Sequence, residues 1–360
     1  MTMKKYKFLL LALTILTLFC AVLHIIFFIN ADFADIFNMS IAHFFRFILA
    51  KATCVFPFSL AEIILLSSPI LIIIFIVHLN KKRCSVKVRL LIAFNTFVFI
   101  AAASYILFIF TFASGYRGNH LSEKLDIKKT EVSEAELYET LSYVIEKAND
   151  YAEKIHFTND GSSELTMDYR ELSSELCHSY DSILEKYELG QNYNSSVKPL
   201  LISPIMTYTH ISGVYSFFTG EANLNTNYPD YVCVFSAAHE LAHQRGFARE
   251  DEANFIAYLV CIESDNDYLK YAGYLSMYGY LSSALRSTNY DLWIKATSSL
   301  SDKTNGELIA YSIFFDKYRD NAVSDVSDTF NDTYLKLQGT QGVKSYGMVI
   351  DLAIAYHSDK

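Results

Sequence analysis

The 360-residue sequence has no CxxC pair, no long run of like charge and no basic excess. Each absence removes a class of function. The 39 acidic residues outnumber the 30 lysines and arginines, for a formal charge of −9. Nucleic-acid binding needs a basic face, so no such partner is expected. The six cysteines show neither zinc-finger nor disulfide-framework spacing. Cys177, Cys233 and Cys261 are therefore expected to be small buried residues. No acidic tail, internal repeat or low-complexity linker is visible, and no organic cofactor is expected.

What is abundant is apolar. Hydrophobic residues make up 52% of the chain, with 27 Phe and 26 Tyr, and the excess lies mostly before Gly115. The stretches 8–31, 63–80 and 90–116 contain no Asp, Glu, Lys or Arg. A helix of about 20 apolar residues crosses the hydrocarbon core of a bilayer. The spacing predicts three transmembrane helices, at 8–30, 60–80 and 90–115, within a membrane region 1–116. The first stretch exceeds the roughly 7–15 residues of a signal-peptide core and lacks a small-residue cleavage site, which makes it an anchor. Lys4, Lys5 and Lys7 precede it, and the basic Lys81–Arg89 loop separates the next two. The positive-inside rule then puts the N-terminus and that loop in the cytoplasm, and three crossings put the rest outside the cytoplasmic membrane. Glu62, at the edge of the second stretch, reads as an interfacial group. Repeated halves and clustered intramembrane charges are missing, which argues against a transporter.

Residues 117–360 read as one α-rich domain. A Ser133–Glu136 capping box opens a first helix, and 165–188 forms a second. The segment 198–230 has the Pro, Gly, Asn and aromatic content of short extended pieces and loops. Helices resume at 231, with breaks expected near Asp265, Thr288, Asn305 and the GTQG turn at 339–342.

The chemistry gathers in AAHELAHQRGFAREDEANFIAYL, residues 237–259. His239 and His243 are four apart and share a helix face, so both imidazoles can reach one metal ion while Glu240 addresses its water. Gly246 suits a chain reversal with positive φ. A catalytic zinc takes three protein ligands and keeps one position open. Glu250, Asp251 and Glu252 can all supply the third. Glu250 is preferred, with Asn254 one turn on as its hydrogen-bonding support, because Glu252 points about 200° away around the axis. One Zn²⁺ is the expected cofactor.

This segment resembles the zinc peptidases in which HExxH is followed by a glutamate in an ExxAD or ExxAN helix, the gluzincin-like pattern. That resemblance implies Glu250 as third ligand, with Asn254 in place of the more frequent Asp and a shorter gap between the motifs than in many such enzymes. More closely, the chain resembles the bacterial membrane family called domain of unknown function 3810. The likeness runs through Lys198-Pro199, TYTHISG, FTGEANLNT, HELAHQRGFAREDEANFIAYL and YAGYLSMY. It implies a metallopeptidase-type activity and no particular substrate. The fold expected is mainly α: three N-terminal transmembrane helices, then an α-rich zincin-like extracytoplasmic domain (117–360) with a small extended segment before the HExxH helix.

The expected function is a membrane-anchored zinc metallopeptidase acting on a protein or peptide, including cell-envelope peptides or amides. Glu240 would move the proton from the attacking water to the leaving nitrogen. Tyr208, His210, Tyr215, Tyr271 and Tyr274 are candidates for a second electrophile. Glu221, Asn223 and Asn225 either line a substrate edge or close turns. Arg245 and Arg249 read as solvated helix-end cations. The rival class is a non-enzymatic membrane sensor or scaffold whose metal is structural. The lipid bilayer is a partner in both.

Overall fold

The computed structural model describes residues 3–82, 84–127, 132–319, 321–338 and 348–358, so the GTQG segment at 339–342 lies outside the described residues. The chain is mainly helical and forms two compact units. Met1–Gly118 and Ser216–Glu221 make the first, and Asn119–Tyr215 with Ala222–Lys360 make the second.

The first unit contains α1 (Met3–Ile29), α2 (Ala31–Phe37), a π-helical turn (Asn38–Ala42), α3 (His43–Cys54), α4 (Leu60–Lys81) and α5 (Val86–Thr111). Among the described residues four helical segments are long and apolar enough to cross a membrane: Phe8–Ile29, Ala31–Cys54, Leu60–Lys81 and Val86–Thr111. The sequence predicts three; Ala31–Cys54 is the addition. Its mean hydropathy is 1.3, against 2.7, 2.7 and 2.1 for the others, because it carries Asp32, Asp35, Arg46 and Lys51. Arg46 is 1% exposed. Its guanidinium donates to the Asn38 side chain (2.8 Å) and backbone carbonyl (2.9 Å) and to the Thr111 carbonyl (2.8 Å). The π turn and the end of α5 thus satisfy the cation internally. Leu, Ile and Phe side chains cover the outer faces of α1, α4 and α5, as lipid contact requires.

The hairpin tip Ser216–Glu221 belongs to this unit. The Phe217 ring meets Phe108 edge-on at 5.4 Å. Gly220 has φ +71°, and a Cβ there would lie 2.6 Å from Leu49 Cβ. The Glu221 carboxylate accepts the N–H groups of Leu60 (3.0 Å) and Ala61 (2.9 Å) at the start of α4. These donors have no intrahelical partner, and an anion there suits the helix dipole.

The second unit contains α6 (Leu121–Lys124), α7 (Glu134–Ala152), α8 (Tyr169–Lys186), β1 (Lys198–Pro199), α9 (Ser203–Met206), most of β2 (Gly213–Ser216) and β3 (Glu221–Leu224), and α10 (Asp230–Arg245). It continues with α11 (Glu250–Ile262), α12 (Asp267–Thr288), α13 (Tyr290–Thr297), α14 (Asp302–Phe315), α15 (Ala322–Leu337) and α16 (Val349–Ser358). The Ser133–Glu136 capping box is present, and α8 opens on a second one, Asp168–Glu171. Asn305 lies inside α14. The break falls earlier, where Ser301 caps the helix by accepting the Thr304 N–H. The strands lie in the order β1-β3-β2, with β1 and β3 parallel.

Every residue of α11 is buried, with α8, α10, α12 and α16 packed around it. Small side chains make this possible. Ala237, Ala238 and Ala242 on α10 and Ala253 and Ala257 on α11 are all inaccessible. At Gly273 of α12 a Cβ would stand 2.6 Å from Cys261 Cβ. The missing side chain lets α12 approach α11 closely. The six cysteines are free, and Cys177, Cys233 and Cys261 are buried.

Candidate metal centre and cleft

Helix α10 carries HELAH and ends at Gly246, whose φ is +103°. Gly246 N–H donates to the His243 carbonyl (3.0 Å) and Phe247 N–H to the Ala242 carbonyl (3.1 Å). These two bonds form a Schellman turn, which glycine adopts without a Cβ penalty. The reversal brings α11 back along α10 with Glu250 at its first position. The same turn offers the Phe247 carbonyl to His243 Nδ1 at 2.7 Å. That bond places the proton on Nδ1 and leaves the Nε2 lone pair for a metal.

Glu250 Oε2 lies 3.2 Å from His239 Nε2 and 3.5 Å from His243 Nε2. One ligand atom from each of the three residues falls within 4.8 Å of the others. A tetrahedral zinc with ligand bonds of about 2.0–2.1 Å has edges of about 3.3–3.4 Å. The donor set and spacing therefore fit a zinc ion. Burial works against charge on His243, but Glu250 beside it overrides this and lifts the imidazole to about 9. The Glu250 carboxyl is buried too, yet the charge of His243 and hydrogen bonds from both imidazoles hold it well below the usual carboxylate range. A cation in this position would replace those protons.

The acids next to Glu250 face other partners. Glu252 accepts the Leu121 N–H (3.0 Å) and pairs with Arg249 (2.9 Å). Asp251 is buried, and burial together with the Glu252 charge pushes its carboxyl to about 6.

His239 and Glu240 open onto a cleft of about 410 Å³. Its lining includes Thr209–Gly213 from the approach to β2, Ser236 on α10, Asn254 on α11, Tyr280 on α12 and Asp328 on α15. At this cleft the buried atoms His239 Nδ1, Glu240 Oε2 and Asn254 Nδ2 have no hydrogen-bond partner among the described residues. Buried polar groups are rarely left so unless water or a ligand meets them. Burial raises the Glu240 carboxyl, while the neighbouring His239 and His243 pull it back and the Tyr215 N–H bonds to it. Gly213 makes room for that carboxylate: a Cβ there would lie 2.6 Å from Glu240 Cγ. The edge strand β2 can therefore run against Glu240.

The other residues singled out in the sequence are dispersed. His210 lines the cleft, has φ +58° and holds the Tyr318 carbonyl at 2.7 Å through Nε2. Tyr215 reaches Glu240 through its backbone. Tyr208 is partly exposed, with its ring edge-on to Tyr318 at 5.0 Å. Tyr271 lies in the core beside Glu307, and Tyr274 stacks on Tyr151 at 5.9 Å. Neither belongs to the cleft lining. Glu221 and Asn223 are on the central strand β3, and Asn225 follows it. Asn223 donates to the Val214 carbonyl (3.0 Å) and Asn225 to the Ile211 carbonyl (2.9 Å). These amides brace the cleft wall from behind, and the strand that reaches the cleft is β2. Arg245 is buried rather than solvated. It stacks over Tyr180 at 4.2 Å and donates to Asn192 Oδ1 (2.6 Å) and the carbonyls of Leu241 (3.0 Å) and Tyr193 (3.1 Å).

Tyr280 was not among the sequence candidates. It lies seven residues after Gly273, two helical turns along the face that approaches α11. Burial and then the Glu250 charge push its phenol up, so it stays protonated and can donate. Its only sequence signal is the glycine two turns earlier.

No curated protein and no solved structure matches the chain. Residues 37–354 match the family model described as protein of unknown function (DUF3810), and the chain belongs to that family.

Proposed function

We propose that the protein is a membrane-anchored zinc hydrolase that cleaves peptide or amide bonds. The observation that carries this reading is the convergence of His239, His243 and Glu250 beside a cleft into which Glu240 opens. Zinc, when bound, supplies Lewis-acid activation of a water and of the scissile carbonyl. The three side chains hold the ion, and the Phe247 carbonyl orients His243. Glu240 takes the proton from the attacking water and delivers it to the leaving nitrogen. A positioned acid–base group of this kind contributes roughly 10²–10⁴-fold. Its raised carboxyl suits both halves of that exchange. Tyr280 donates its phenolic proton toward the carbonyl oxygen as charge develops there. A purely structural metal would have no use for a buried Glu240 Oε2 without a partner.

The hydrolytic domain is assigned to the extracytoplasmic side. Lys4, Lys5, Lys7 and the Lys81–Arg89 loop share the cytoplasm only if an even number of crossings separates them. The Ala31–Cys54 segment then lies along the interface, which suits its lower hydropathy of 1.3 and its four charged residues. Removing metal from the purified full chain with a chelator should abolish peptide hydrolysis, and zinc should restore it. Undiminished hydrolysis by metal-free protein would refute the proposal.

A further inference from the structure

Between Lys198 and Glu221 the chain carries no Asp, Glu, Lys or Arg, although both bounding charges are buried. Within this segment the usual distribution of polarity is inverted. On the helical turn around α9, Ser203 and Thr207 face inward at 2% and 0% exposure, while Leu201 and Ile205 face outward at 79% and 71%. Tyr208, in the short helical turn that follows, is exposed as well, at 44%. A helix turned toward water places its apolar residues the other way.

The segment ends in residues grouped with the first unit. Val214 on β2 is 45% exposed, and two residues later the chain enters the hairpin tip Ser216–Glu221, which belongs to the first unit. There Phe217 packs on Phe108 and Gly220 on Leu49, within the segment assigned to the interface. The same uncharged stretch supplies Thr209–Gly213 to the cleft. An exposed Leu, Ile and Tyr face on a charge-free segment is the composition of a surface that dips into the headgroup region.

We propose that Leu201, Ile205, Tyr208 and Val214 form a lipid-contacting face, and that the cleft beside it takes a peptide or amide tethered to the membrane. The substrate half rests on the hydrolase reading; the lipid half does not. Tethering confines the substrate to the surface and raises its effective concentration at the cleft.

The test uses the full chain in nanodiscs, with Cys54→Ser and Cys84→Ser as background. An environment-sensitive fluorophore is attached at Leu201→Cys or Ile205→Cys, with Ile313→Cys, an apolar position 62% exposed, as reference. Labels at 201 and 205 should be quenched by lipid-borne nitroxides and shielded from iodide, and the label at 313 the reverse. Iodide quenching equal to that at 313 overturns the proposal. So does shielding from both quenchers, which would mean that a protein covers the face. In a second measurement, Leu201→Glu with Ile205→Glu should slow cleavage of a lipid-tethered peptide about tenfold or more and leave its untethered form within about twofold. Equal effects on the two peptides overturn the tethered-substrate assignment. A wild type that cleaves neither peptide counts against the hydrolase reading, and the quenching pattern still decides the lipid contact.

Discussion

His243 Nδ1 meets the Phe247 carbonyl at 2.7 Å, and the turn that makes this bond also returns Glu250 to within 3.5 Å of the same imidazole. One glycine-dependent reversal therefore sets both the orientation of one candidate ligand and the position of another. The candidate metal centre depends on backbone geometry at Gly246 as much as on its three donors.

Gly246→Ala places a Cβ on a residue with φ +103°. The strain amounts to about 1 kcal/mol or more, and relieving it displaces the Phe247 carbonyl. Loss of such a supporting hydrogen bond typically weakens metal affinity about 10–100-fold. Competition with a chromophoric chelator should show this drop in zinc affinity while circular dichroism shows a retained helical fold. Affinity equal to wild type would separate the turn from the metal.

Tyr280→Phe removes one phenolic oxygen from the cleft. If the phenol donates to developing negative charge, kcat falls roughly 10–1,000-fold while KM changes little. Zinc content should stay the same. A change confined to KM would make Tyr280 a binding group only.

Glu307 is inaccessible, and its Oε2 accepts the Ser163 N–H at 2.7 Å while Oε1 has no partner among the described residues. Burial raises its carboxyl above the ordinary 4.5. The folded protein thus holds this proton to higher pH than the unfolded chain. Its contribution to stability is complete below the ordinary carboxyl range and declines as pH rises through the raised folded value. Melting curves of the detergent-solubilised chain should show Glu307→Gln more stable than wild type at pH 8. The difference should shrink or reverse toward pH 4. A pH-independent difference would show that the carboxyl does not titrate between the two states.

Much of the centre was legible because its residues are close in sequence. HELAH, the glycine and Glu250 span a single helix–turn–helix, so local spacing alone brings the donors together. The Ser133–Glu136 cap was readable for the same reason. Tyr280 was not, since it reaches the cleft only through the packing of α12 on α11. The close approach of Gly213 to Glu240 likewise comes from strand order. Arg245 looked like a solvated helix end, but α8 and the Tyr193 segment enclose it. Ala31–Cys54 does not read as an apolar run because Asp32, Asp35, Arg46 and Lys51 dilute it, and Arg46 is met by Asn38 and by Thr111, the latter 65 residues away.

The number of crossings can be decided by labelling intact cells with an impermeant maleimide in a Cys54→Ser background. With three crossings, Cys84 is protected and a cysteine replacing Ser358 reacts. If Ala31–Cys54 also crosses, a cytoplasmic N-terminus puts Cys84 outside and residue 358 inside, and the labelling inverts.

The central claim is that Glu240 moves protons at a zinc held by His239, His243 and Glu250. The most direct test measures bound zinc and peptide hydrolysis together in wild type and Glu240→Gln, using the full chain in detergent. The account predicts about one zinc per chain in both proteins, with hydrolysis reduced at least about 10²-fold in the variant. Equal hydrolysis by both, or wild-type protein that binds no zinc, would contradict it.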